Sequence, residues 1–375
     1  MKEITSNNAR YLIRSKRMKH KNLIIGLIAL MGIIIISLGA IYMYFTSPLS
    51  KEKKDIFVNI KPNTTIKEIS NILEEKKVIK SDTFFYLYIK INNINDLKAA
   101  NYLLSPNMTF DEIIKILQVG KGYNKDEISV TFKEGNNIRQ VAKTIEKYTN
   151  NSYDEVLSKI ADVTYIDNLI GKYWFLKAEI KNPNIYYPLE GYLFPETYKF
   201  DNKNVSVEKI IEIMLNQTDK ILTTYIKEIE ASKLSIHEII TMASMVELEA
   251  GASSNYSEDI ARVFYNRLKQ GMNLGSDVTT YYAFKVEMSE RDLSAKEFNT
   301  YNLYNTRGPK MEGKLPIGPV SNVGEKTIKA VINPKENNYL FFVADKYGKV
   351  FFTKTNKEHL QVVKEIKDRG DWIQW

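Results

Sequence analysis

The chain has 375 residues, 44% hydrophobic and 26% charged, enough for two or three folded units with sizeable cores. It has no cysteine, which excludes disulfides, thiolate metal ligands, a cysteine nucleophile and a lipid-modified cysteine anchor. Its three histidines have no metal-ligand spacing, so neither a metal site nor a cofactor is expected. The net charge of +8 is local: seven Lys/Arg against Glu3 within residues 1–21 supply six of the eight charges, so the remainder is nearly neutral and nucleic acid is not an expected partner.

The basic tail, residues 1–22, precedes an uncharged run at 23–45 (LIIGLIALMGIIIISLGAIYMYF). The run exceeds the about 20 residues that a transmembrane helix needs and is too long for a signal-peptide core. Tyr42, Tyr44 and Phe45 stand where an interfacial aromatic belt belongs. The basic flank predicts a cytoplasmic N-terminus, a single membrane pass and residues 46–375 outside. Residues 46–55 are polar and read as a linker. IFVNIKP (56–62) alternates as a strand does, and Thr65 with Glu68 has capping-box spacing before an apolar-periodic run. Thr109 and Glu112 repeat that pattern, and NNIRQVAKTIEK follows the strand-like EISVTFKEG as a looser third copy. The offsets differ, so small strand–helix units are expected rather than a solenoid. Residues 150–185 have a helical pattern. YYPLEGYLFPETYKF (186–200) is aromatic-rich and broken by Pro188, Gly191 and Pro195, and residues 205–233 read as one long helix.

Ser235 and Glu238 form the next capping-box signal, and Gly251 is a suitable C-cap. At about 100° per residue, Glu247 falls on the stripe of Ile236, Ile240, Ala243 and Ala250, which should face the core. Glu249 falls on the far side beside Glu238, so Glu247 and Glu249 are not a matched acid pair. A desolvated carboxyl has a raised pKa, as a general acid near neutral pH requires. The alternative from spacing alone is a carboxylate at the edge of the stripe, paired with Arg262 or Arg267. Residues 258–284 read as a helix, a turn and a polar-aromatic segment; 301–322 is loop-rich; YLFFVADKYGKVFFTKT is a hairpin turning at 346–348; and a helix containing HLQVVKEIK ends the pattern.

The blocks LEGYLFPETY, ASMVELEAG, RVFYNRLKQGM, LGSDVTTYY, YNTRG…LPIGP and YLFFVADKYG…EH stand in the order found in the endolytic murein transglycosylases (MltG, or YceG-like, family), which the chain resembles over about residues 56–365. The resemblance implies an α+β fold with a single transmembrane helix, a LysM-like subdomain over 56–122 and a catalytic domain over 123–375. It implies cleavage of MurNAc–GlcNAc bonds in nascent peptidoglycan strands, leaving 1,6-anhydroMurNAc ends, and association with peptidoglycan synthases. It places the catalytic carboxylate at Glu247. Asn266, Asp277, Thr279, Tyr281 and Asn305, in the matched polar segments, are candidates for orienting the sugars, and each has a structural alternative in bracing a turn. The chain departs from the family pattern at 275–279 (GSDVT for Q-x-D-P-T), at Val323 and at Val350. Those departures motivate a second hypothesis, a catalytically degenerate, membrane-anchored wall-binding scaffold.

Overall fold

A computed structural model describes residues 25–372; the basic tail at 1–22, the first two residues of the predicted span and residues 373–375 lie outside the described residues. Helix α1 (Ile25–Thr46) has a mean hydropathy of 2.5 over its most apolar window, none of which is buried by the rest of the chain. Its 22 residues rise about 33 Å, enough to cross a hydrocarbon layer of about 30 Å. The fold is α+β and divides into two compact units, residues 1–125 and 126–375.

Beyond α1, the first unit holds β1 (Ile56–Ile60), α2 (Ile66–Glu75), α3 (Asp82–Ile91), β2 (Ala100–Leu104) and α4 (Phe110–Val119). β1 and β2 pair antiparallel with Val58 opposite Tyr102, and their inward residues meet Ile69, Leu73, Phe85, Ile89, Ile113 and Leu117 in one core. The capping boxes form at Thr65/Glu68 and Thr109/Glu112, each satisfying otherwise unpaired N–H groups at the start of its helix. Residues 47–55 are irregular but tied down: Ser50 N–H donates to the Pro106 carbonyl and Lys54 N–H to Ser105 Oγ, both at 2.9 Å.

The second unit runs β3 (Ile128–Thr131), α5 (Ile138–Tyr148), α6 (Tyr153–Ala161), α7 (Val163–Lys172), β4 (Thr197–Phe200), α8 (Val207–Thr224), α9 (Ile226–Ala231) and α10 (Ile236–Ala250). It continues with α11 (Ser257–Lys269), α12 (Asp277–Ala283), α13 (Ala295–Phe298), α14 (Glu325–Ile332), the hairpin β5 (Phe341–Ala344) and β6 (Val350–Thr353), and α15 (Asn356–Asp368). The long helix expected over 205–233 breaks at Tyr225 into α8 and α9. The aromatic stretch after Pro195 ends in β4, which pairs with β3 (Val130 opposite Tyr198). That partner is far away in the chain, so alternation within the stretch did not reveal the strand.

α10 is the axis of this unit. Residues from His237 to Val246 other than Glu238 are buried, because α11, α12 and α14 cover faces that a single amphipathic stripe would leave to solvent. The segment before β4 is locked against α10 through Gly191, whose φ is +85°; a Cβ there would sit 2.5 Å from Pro319 Cβ and 2.8 Å from Ile240 Cγ2. Gly191→Ala therefore combines left-handed strain with overpacking and should lower unfolding stability by about 2–4 kcal/mol, read from denaturant midpoints of the full chain. An unchanged midpoint would refute this lock.

Candidate active site

The sequence brings Ser244 and Glu247 to one edge of α10, and the loop before α14 is laced to them. Ser244 Oγ accepts Val320 N–H at 3.0 Å, and Ser321 Oγ donates to the Ser244 carbonyl at 3.3 Å. One turn on, Gly324 N–H (3.0 Å) and Thr327 Oγ1–H (2.5 Å) both donate to Glu247 Oε2. Gly324 is the N-cap of α14 and has no side chain to cap with, so Glu247 supplies the acceptor from a neighbouring helix. Among the described residues, no hydrogen bond to Oε1 is found. A proton carried by this carboxyl therefore belongs on Oε1, since Oε2 is taken by two donors.

Burial is the largest effect on Glu247 and raises its pKa. The Thr327 hydroxyl and the Gly324 N–H pull it back, and the negative charge of Glu134 adds to the rise; the net direction is upward. Neither arginine suggested by spacing pairs with it. Arg262 reaches Glu336 and the Pro334 carbonyl; Arg267 donates to the Leu340 and Leu274 carbonyls.

Glu134 is the group that the sequence analysis missed. It follows β3 in the segment 133–137, which docks on 322–324 through Gly135 N–H to the Asn322 carbonyl (3.0 Å) and Asn322 N–H to the Asn136 carbonyl (2.9 Å). Its exposed carboxylate rests on Gly324, where a Cβ would fall 2.1 Å from Oε1. Two carboxyls thus flank one glycine, one half-buried and one in solvent. The only signal for this in the sequence was Glu134-Gly135 at the end of a strand, and nothing there linked it to a residue over a hundred positions away. Asn322 Oδ1 accepts Leu193 N–H at 3.0 Å, while its buried Nδ2 has no partner among the described residues.

The five sugar-orienting candidates fall into two places, and none bonds Glu247. Thr279 and Asn305 are fully buried: Thr279 joins the Ser276 carbonyl and Thr306 Oγ1, while Asn305 donates to the carbonyls of Glu297, Phe298 and Thr300 and accepts from Thr280. Their polar atoms are committed to bracing the 300–308 loop. Asp277 is exposed and ion-paired with Arg307, and Tyr281 is half-buried. This cluster meets α10 through Ser276 Oγ–H, which donates to Glu249 Oε1 at 2.6 Å. Burial pushes Glu249 up to about 7 against that hydrogen bond and the nearby Arg267 and Arg307. Asn266 lies elsewhere and holds the 337–339 turn by donating to the Asn337 and Tyr339 carbonyls.

Glu190 is a fully buried carboxyl, 1% exposed, set at the N-terminus of α5. It accepts Ile138 N–H (3.0 and 3.1 Å) and Tyr282 O–H (2.8 Å), yet desolvation outweighs these donors and Arg139 and pushes it up to about 8.

Comparison with known proteins places this arrangement among relatives. The YceG-like family model matches residues 58–365. A protein of Bacillus subtilis (strain 168) named endolytic murein transglycosylase is 36% identical over 330 residues, covering 86% of this chain and 89% of that protein. One of the same name from Streptococcus pneumoniae serotype 2 (strain D39) is 32% identical over 330 residues, covering 84% of this chain and 59% of that longer protein. A crystal structure of a YceG-like protein from Listeria monocytogenes is 37% identical, covers 83% of this chain and all of its own, and superposes with a TM-score of 0.59.

Glu190 gives a pH test of the packing around the site. Its raised pKa means that the native state holds the proton more tightly than the unfolded chain does. Its contribution is therefore complete below about pH 4.5 and lost as the pH rises through about 8. Urea midpoints of the full chain should fall across that window, and less steeply in Glu190→Gln. Equal slopes in the two proteins would exclude this role.

Proposed function

The chain belongs to the YceG-like family, and from that premise we propose that it is a membrane-anchored endolytic murein transglycosylase with Glu247 as its single acid/base. The observation that carries this reading is the asymmetric carboxyl of Glu247: one oxygen anchored by two donors, the other free, in surroundings that raise its pKa. Glu247 Oε1 donates its proton to the glycosidic oxygen of a MurNAc–GlcNAc bond as the C1–O bond breaks. The 6-hydroxyl of the same MurNAc attacks C1, and its proton passes to the Glu247 carboxylate. No water is consumed, the enzyme regains its proton, and the products are a free GlcNAc end and a 1,6-anhydroMurNAc end.

Glu134 is assigned the second electrostatic task. Its exposed carboxylate favours the protonated form of Glu247 and stabilises the positive charge that develops at C1. Asp277 and Tyr281 are the solvent-accessible candidates for sugar contacts; Thr279 and Asn305 serve by bracing. The β1–α2–α3–β2 order supports a LysM-like subdomain in the first unit as a second glycan contact. α1 is assigned as the anchor, with residues 46–375 extracytoplasmic, on the strength of its apolar length and the basic tail before it.

A second carboxylate also permits hydrolysis, in which Glu134 would activate a water. Mass spectrometry of strand ends separates the two. Uncrosslinked strands treated with the full chain should yield ends lighter by one water than hydrolysis gives. Glu247→Gln should lower the rate by about 10²–10⁴-fold or more. Water-containing ends would favour the hydrolase, and uncut but bound strands the scaffold.

The alkaline limb of the kcat/KM profile reports the Glu247 proton. Thr327→Val removes a donor that stabilises the charged form and should move that limb to higher pH. Glu134→Gln removes the like charge and should move it to lower pH. Shifts in the same direction, or none, would remove these residues from the electrostatics of Glu247.

A further inference from the structure

α3 has two apolar faces. Phe85 and Ile89 enter the core of the first unit. Phe84, Leu87, Tyr88 and Ile91 recur at i, i+3, i+4 and i+7 and fall within an arc of about 100° on another side. A helix packed on one domain needs only the first face.

The second face continues the surface of α1. Phe84 stacks on Phe45 with ring centroids 3.9 Å apart and planes 5° from parallel, and Tyr88 stacks on Tyr42 at 6.3 Å. Lys80 Nζ donates to the Tyr44 carbonyl and to Ser47 Oγ, both at 2.6 Å, and sits 4.4 Å from the Tyr44 ring centroid. The order of these contacts is antiparallel: moving from Phe84 to Tyr88 along α3 is moving back from Phe45 to Tyr42 along α1. Ile91, almost a turn beyond Tyr88, therefore reaches towards the uncharged stretch of α1 that precedes Tyr42. Leu87 is 45% exposed and Ile91 74% exposed, beside α1 residues that are themselves uncovered. The charged residues of α3, Asp82 and Lys90, lie outside the stripe, and tyrosines and lysines edge it, as at a headgroup boundary.

We infer that α3 is an interfacial helix: its Phe84–Leu87–Tyr88–Ile91 stripe is immersed at the headgroup–acyl boundary of the leaflet from which α1 emerges, so that the first unit lies on the bilayer. The occupant is lipid because the stripe is continuous with the exposed surface of α1, and any lipid shell around the end of α1 covers both. This rests on the reading of α1 as a membrane span. The tied segment 47–55 agrees with it, since Ser50 and Lys54 hold the first unit close to the end of α1.

The absence of cysteine makes the test direct. Single cysteines at Ile34, Leu87, Ile91 and Glu75 of the full chain are labelled with nitrobenzoxadiazole in phosphatidylethanolamine–phosphatidylglycerol vesicles and quenched with acyl-brominated lipid. Labels at 34, 87 and 91 should lose fluorescence, and the label at 75, on the exposed side of α2, should not. Quenching at 34 with none at 87 and 91 overturns the interfacial helix while the anchor stands, and leaves the stripe to a protein partner. No quenching at 34 refutes the anchor and this inference with it. Equal quenching at 75 would mean that immersion is not specific to α3, and would overturn the assignment too.

Discussion

The carboxyl of Glu247 at the start of α14 is the contact on which the second unit is organised. A short helix beginning at a glycine has no side chain of its own to accept its first N–H groups. Glu247, from α10, accepts the N–H of that glycine and the Thr327 hydroxyl, and the first of these bonds fixes the end of the loop that runs from Val320 to Gly324. The geometry has a cost that is also its use. Accepting two donors on Oε2 favours the charged carboxylate, while burial beside α14 and the charge of Glu134 favour the neutral acid. The net preference for the proton is the outcome of that opposition, and the oxygen without donors is the one left to exchange it.

Three carboxyls with covered surroundings serve one unit in different ways, and partners rather than burial distinguish them. Glu190 accepts Ile138 N–H and Tyr282 O–H and is closed off from solvent at the start of α5. Glu249, two residues from Glu247, bonds Ser276 and faces two arginines, which ties the 276–308 cluster to α10. Among the three, Glu247 is the carboxyl with one oxygen anchored by two donors and the other left without one, whereas Glu249 accepts a single bond. A raised pKa by itself would have nominated all three.

In the first unit the same economy of contacts sets position. α1 ends in aromatic residues that stack on α3 instead of fading into a mobile tether. The segment between α1 and β1 has the composition of a linker, yet its backbone donors are used by the loop before α4. Composition reports what a segment can tolerate; only its partners report whether it is free.

Local chemistry made much of this protein legible in its sequence. The apolar run of α1, the capping boxes at Thr65, Thr109 and Ser235 and the hairpin at β5–β6 all follow from residues within a few positions of one another. The ordered blocks from LEGYLFPETY to YLFFVADKYG carried the family in the same way. What lay beyond reach were the pairings that cross the chain. β4 is a strand because β3 is its partner, and Glu249 is covered because Ser276 and Arg267 come to it. The arginines offered to Glu247 by spacing turned to backbone carbonyls near the hairpin and the 273–274 turn. Glu134, separated from Glu247 by more than a hundred residues, meets it only because two loops share a glycine. Periodicity and capping are short-range and survive in a single sequence; the charge that surrounds a carboxyl is a sum over neighbours that only the folded chain assembles.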